Sequence, residues 1–146
     1  MKKYILLYVV CIAVISDAVL VQVGQDIDGE TGNDFSGSSV SLSADGTIVA
    51  IGADSNSGIN GDYSGHVRIY SLDDGIWVQV GQDIDGEAED DSSGNSVSLN
   101  ADGSVVAIGA KYNNGINGDS SGHVRIYSLD DGIWVQVGQD IDGEAA

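Results

Sequence analysis

The sequence predicts an all-β chain: β-propeller-like blades of four antiparallel strands, two blades plus an extra N-terminal strand, forming an open, incomplete propeller. Three observations predict it. Residues Val21 to Trp77 overlay Val78 to Trp134 without a gap, a 57-residue repeat with 45 identical positions, and a period of this size marks stacked or radial units. Each copy contains short runs that alternate apolar and polar residues, separated by Asp-Gly turns. No apolar spacing of three and four persists beyond the N-terminus, and 21 glycines interrupt the chain throughout.

Taken in order, Lys2 and Lys3 precede the apolar run Tyr4 to Ile15, followed by Ser16, Asp17 and Ala18. Residues 1–18 therefore read as a signal peptide cleaved after Ala18, because twelve apolar residues fall short of the roughly 20 that span a bilayer. The only cysteine, Cys11, lies within this run, so the expected mature chain has no thiol chemistry. Val19 to Gln25 has the sequence of a fourth strand without its blade.

Ser39 to Ser43 alternates, with Val40 and Leu42 on one face, and Ala44-Asp45-Gly46 turns the chain into Thr47 to Ala53. That second run is almost wholly apolar, as expected of a strand covered on both faces. His66 to Leu72 alternates again, with Val67 and Ile69 on one face and His66, Arg68 and Tyr70 on the other. Asp73-Asp74-Gly75 leads into a fourth strand, Ile76 to Gln82. Blade 1 thus spans about 38–82 and blade 2 about 95–139, with Ile48 to Ala53 and Val105 to Ala110 as the central layer. Val135 to Glu144 repeats Val78 to Glu87, and the sequence stops two residues later, as expected of a fragment of a longer propeller.

These residues, Gly37-Ser38-Ser39-Val40, Ala50-Ile51-Gly52-Ala53, Gly65-His66-Val67-Arg68-Ile69-Tyr70 and Trp77, with counterparts Gly94 to Val97, Ala107 to Ala110, Gly122 to Tyr127 and Trp134, resemble the FG-GAP repeat of integrin α-chain-like β-propellers. The resemblance covers two full copies and implies four-stranded blades, extracellular placement and a role in adhesion or ligand binding. It departs from the family in two respects. Where calcium-binding members carry a long acidic loop between the first two strands, this chain has Ala44-Asp45-Gly46 and Ala101-Asp102-Gly103, and one carboxylate cannot supply the six to eight oxygens calcium takes. Two blades also cannot close a ring of about four to eight.

Acids cluster elsewhere, at the end of each repeat. Asp26, Asp28 and Glu30, and in the second copy Asp83, Asp85 and Glu87, place oxygens alternately around a glycine and are the candidate metal ligands, for calcium. The spacing lacks a full calcium loop, so the competing interpretation is a solvated bend from one blade to the next, with Gly29 and Gly86 at the turn. The loop Asp54 to Asp62 also alternates acids and amides, but Asp54 and Ser55 become Lys111 and Tyr112 in the second copy, which fits turn and contact residues better than ligands. His66 and His123 read as strand residues that contact a neighbouring blade, Arg68 and Arg125 as partners of corner acids, and Tyr70, Tyr127, Trp77 and Trp134 as blade packing.

The formal net charge of −18 excludes nucleic acid and anionic membrane surfaces as natural partners. No serine is paired with a base, and no phosphate-cradling loop or His-Glu-x-x-His occurs. The expectation is a secreted, non-catalytic binding or adhesion-like scaffold that takes a protein or glycan ligand through inter-strand loops and is open to self-association along its blade edges. The alternative is a surface assembly protein that binds calcium weakly.

Overall fold

In a computed structural model the described residues are 19–144, and the expected signal peptide and residues 145–146 lie outside them. The described residues contain strands and turns and no helix, as the repeat predicted. The first sheet runs β1 (Ser39–Leu42), β2 (Ile48–Ala53), β3 (His66–Asp73), β4 (Ile76–Gln79), with β5 (Ile84–Asp85) also on β3. The second repeats it with β6 (Ser93–Leu99), β7 (Val105–Ala110), β8 (His123–Asp130), β9 (Ile133–Gln136) and β10 (Ile141–Asp142). All pairings between these strands are antiparallel, and neither sheet closes into a barrel.

Local chemistry sets the turns. Asp74-Gly75 and Asp131-Gly132 all have positive φ, which is the two-residue hairpin that matches strand twist. In the β1–β2 turn Asp45 accepts hydrogen bonds from Ser43 Oγ at 2.7 Å and from Thr47 N at 3.0 Å, and Gly46 N donates to Ser43 O.

Two expectations are corrected. The outer strand expected over Ile76 to Gln82 ends at Gln79; Val80 N still donates to Ile69 O of β3, after which Gly81-Gln82 leaves the sheet and the chain returns as β5, pairing Ile84 with Val67 and Asp85 with His66. This detour seats Trp134, whose indole N–H donates to Val80 O at 2.8 Å. Asp83 to Glu87 is therefore not simply a bend, because Ile84 is a core residue and blade 1 runs to Asp85. Blade 2 correspondingly opens at Ser93, with a register shift between Ser93 and Ser96. The second correction concerns Val19 to Gln25, which forms no strand. Its counterpart Ile76 to Gln82 carries β4, which pairs with the β3 of its own repeat, and among the described residues no such strand precedes the N-terminal segment. The segment is held through side chains instead: Gln25 donates to Trp77 O and accepts from Trp77 N, both at 3.0 Å, and Trp77 Nε1 donates to Val23 O.

The core lies between the blades. Cross-strand register puts Ala50, Gly52, Val67, Ile69 and Ile84 on one face of blade 1, here called the front. The back face of blade 2 carries Val97, Leu99, Val106, Ile108 and Tyr127, and the two faces share one cluster with Trp134. Polar bonds cross the same junction: Ser39 Oγ donates to Gly94 O at 2.7 Å, Ser93 N to Ser64 O at 3.0 Å and Leu99 N to Ser41 Oγ at 2.9 Å. Identical sequence consequently meets different surroundings in the two copies. On the covered front of blade 1 Val67 is 0% exposed and Ile84 5%, whereas on the front of blade 2 Val124 is 37% exposed and Ile141 57%.

Candidate functional site

Strand register gathers the repeat-end acids in a way their sequence spacing does not. His66 and Arg68 project from the back of β3, where Glu30 arrives from the N-terminal segment and Asp83 from the detour before β5. Glu30, His66 and Asp83 bring ligand atoms within 4.8 Å of one another, and Glu87, His123 and Asp140 do the same in blade 2. Each cluster can hold a metal ion. The candidate ligands Asp83, Asp85 and Glu87 do not meet in one place: Asp83 joins the first cluster, Glu87 the second, and Asp85 lies on β5 opposite His66. Of the other trio, Glu30 enters the first cluster, the Asp26 carboxylate accepts from Gln22 Nε2 at 2.8 Å, and Asp28 contributes its backbone oxygen to Arg68.

A guanidinium stands in each cluster. Arg125 donates to both oxygens of Asp140, at 2.9 and 2.7 Å, and also contacts Glu87. Arg68 lies 3.6 Å from Glu30. These bonds hold the Asp140 carboxyl below the usual carboxylate range, against the opposing effect of burial. For Arg125 burial disfavours the charge, but hydrogen bonds to Asp140 and Glu87 outweigh it, so the guanidinium stays charged. His123 Nδ1 lies 3.8 Å from Asp140 and 4.0 Å from Glu87, and His66 Nδ1 3.9 Å from Glu30. Asp85 is affected in the opposite direction: burial, reinforced by the charge of Asp83, raises its pKa above the ordinary value. The Glu87–Arg125 pair joins the tail of one repeat to the sheet of the next, so each cluster is also a junction between units.

The turns between β1 and β2 and between β6 and β7 do not suit calcium. Asp45 is engaged by Ser43 and Thr47, and Asp102 by the backbone and hydroxyl of Ser104, and these hydrogen bonds hold both carboxyls below the ordinary value. One carboxylate per turn, already engaged by its neighbours, falls well short of the six to eight oxygens calcium takes.

The loops after β2 and β7 form a second candidate. Buried Asp34 accepts from Thr31 N, Thr31 Oγ1 and Asn56 Nδ2; burial alone would raise its pKa, but these bonds lower it. Asp91 and Asn113 repeat this staple at 3.0 Å. Each loop tip then closes on itself, Gly58 bridging to Gly61 and Gly115 to Gly118, and Asn60 and Asn117 donate back to Gly86 O and Gly143 O. Held on these turns, Ile59 is 90% exposed and Ile116 88%. Between the loops lies a polar groove walled by Tyr63 and Tyr112 and lined by Asp90, Ser92, Asn114 and Asp119. The two isoleucines were not apparent as contact residues from sequence spacing. The available signal was their retention inside Gly-Ile-Asn-Gly-Asp in both copies while three of the four preceding residues change, Asp54, Ser55 and Ser57 becoming Lys111, Tyr112 and Asn114. Asp54 itself is a junction residue, accepting from Asn95 Nδ2 at 3.1 Å.

No helix among the described residues is long and apolar enough to cross a membrane. Comparison with models of protein families gives no match, and comparison with curated protein sequences gives none.

Proposed function

We propose that this chain is a secreted, non-catalytic binding scaffold of FG-GAP-like propeller repeats that engages a protein ligand through the loop tips after β2 and β7. The observation that carries this reading is the pair Ile59 and Ile116, two large apolar side chains fixed almost fully in solvent by stapled turns. An apolar side chain exposed on a rigid frame costs little ordering entropy on binding, which suits an interface anchor. Asp62, Asp90 and Asp119 around the tips favour a ligand with a basic rim. The tyrosine-walled groove beside them has the aromatic and polar lining that stacks on a sugar, so a glycan is tested alongside.

The chain is assayed against a panel of purified extracellular-matrix proteins and against a glycan array. Salt-sensitive binding to a protein is expected, weakened at least tenfold by the double substitution Ile59→Asp, Ile116→Asp with Tm unchanged. No binding to any panel member, or binding that the double variant retains in full, counts against the proposal. Glycan binding lost on Tyr112→Ala moves the site to the groove.

A second reading, weak calcium binding that orders an assembly, is favoured by the recurrence of a Glu-His-Asp cluster in both blades. An ion entering there must displace Arg125 from Asp140 and Glu87, and an imidazole suits zinc better than calcium. Millimolar calcium is expected to leave Tm unchanged. A rise in Tm that disappears in Glu87→Gln would establish the calcium reading.

A further inference from the structure

The junction between the two blades is a template for a contact that the chain presents but does not make within itself. In blade 1, Gly52, Ser64, Gly65, Val67 and Ile84 form a socket filled by Ser93 and Gly94 of blade 2: Gly65 bridges to Ser93, and Gly94 lies against Gly52 and Val67. The matching residues of blade 2, Gly109, Ser121, Gly122, Val124 and Ile141, line an open groove. The insert has its own copy as well, since Ser36-Gly37 stands where Ser93-Gly94 stands one repeat later. Behind it, Val40 and Leu42 on the back of blade 1 are exposed, whereas their counterparts Val97 and Leu99 pack into the shared core. Among the described residues the chain thus has an open front at one end and an open back at the other, in the same residues that pair at its centre.

We infer that copies of this chain associate head to tail, the front of blade 2 in one copy receiving Ser36-Gly37 and the back of blade 1 of a second. The occupant is a second copy because the required surface is the one that repeats Ser93 to Leu99, and the polar bonds of the internal junction have the same residue types available across the new one. Ser96 Oγ stands ready for Gly37 O as Ser39 Oγ is for Gly94 O, and Ser121 O for Ser36 N as Ser64 O is for Ser93 N. Only the Asp54–Asn95 bond lacks an equivalent, its positions being Lys111 and Ser38. Such a contact is heterologous and propagates until a ring closes.

The N-terminal segment regulates this association. Val21 to Glu30 lies against blade 1 as Val78 to Glu87 lies against blade 2, and it already holds Trp77 through Gln25 and Val23. In a head-to-tail pair the identical Val135 to Glu144 of the first copy needs that same seat. Its Gln139 is exposed and makes no side-chain hydrogen bond among the described residues, while Gln82, its counterpart, holds Trp134 by two. Assembly is therefore an exchange of one clamp for an identical one, with burial of the open faces as the net gain.

Sedimentation velocity of the purified chain across micromolar concentrations tests the inference. Reversible association is expected, with opposite effects from two equivalent glutamines: Gln25→Ala loosens the resident segment and tightens association several-fold, whereas Gln139→Ala weakens it. Val124→Asp, at an exposed site, is expected to weaken it at least tenfold without lowering Tm; should it melt early, Ile141→Asp takes its place. A parent and a Gln25→Ala variant that both remain monomeric throughout, or an association that Gln139→Ala and Val124→Asp leave unchanged, overturn the inference. The Ile59→Asp, Ile116→Asp variant sediments as the parent does, so failure of ligand binding and failure of association are read separately.

Discussion

Replacing Gly52 with alanine is expected to destabilise the protein by about 1–3 kcal/mol, the range for forcing an atom into a packed junction, and toward its upper end because the obstruction is backbone. A Cβ at this position runs into the carbonyl oxygen of Gly94 and comes within 2.5 Å of Ser39 Oγ, which is itself bonded to Gly94 O. Neither can yield without separating the blades. The same substitution at Gly109 is expected to change stability by no more than about 0.5 kcal/mol, as is usual away from packed features. There the only close contact of a Cβ is the hydroxyl of Ser96, which makes no hydrogen bond among the described residues. Urea midpoints of the two variants at low protein concentration measure the contrast. Equal losses would mean that the blades do not stack through Gly52.

Truncating Trp134 to alanine is expected to cost about 3–5 kcal/mol, the range for a large buried aromatic, while Trp77→Ala costs less than half as much. The two residues are repeat equivalents and are held by the same three hydrogen bonds, Trp134 from Gln82 and Val80, Trp77 from Gln25 and Val23. Only Trp134 also joins the core between the sheets, at 3% exposed. Apolar burial thus separates the two sites while their hydrogen bonding is matched. Chemical denaturation followed by far-UV circular dichroism gives both values, and similar losses would place the main stabilisation in the clamp instead of the core.

The strands legible in the sequence were those with enough residues to show a period. Val40 and Leu42, the continuous run Ile48 to Ala53, and the His-Arg-Tyr face of β3 all occupy the sides their alternation indicated. Ile84–Asp85 escaped because two residues in an acidic setting carry no period, and the pairing that makes them a strand depends on a register set 17 residues earlier. The clusters escaped for a related reason. Glu30, His66 and Asp83 are far apart in the chain, so acids that appeared to form a local trio are in fact distributed to different junctions. The unequal burial of Val67 and Val124 could not be read from residues that are identical in type; it depends on which neighbour follows.

Because the core lies between the blades, neither repeat owns it. The residue pairs that cross the junction are distant in sequence, Ser64 with Ser93, Ser39 with Gly94, Gln82 with Trp134 and Asp54 with Asn95 among them, so little of the stabilising surface forms locally. The first repeat emerging during synthesis has nothing on which to close until the second arrives, and contacts of such long span favour slow folding. The two sheets then gain and lose order in one cooperative step, and the unit of folding is the interface, not the blade.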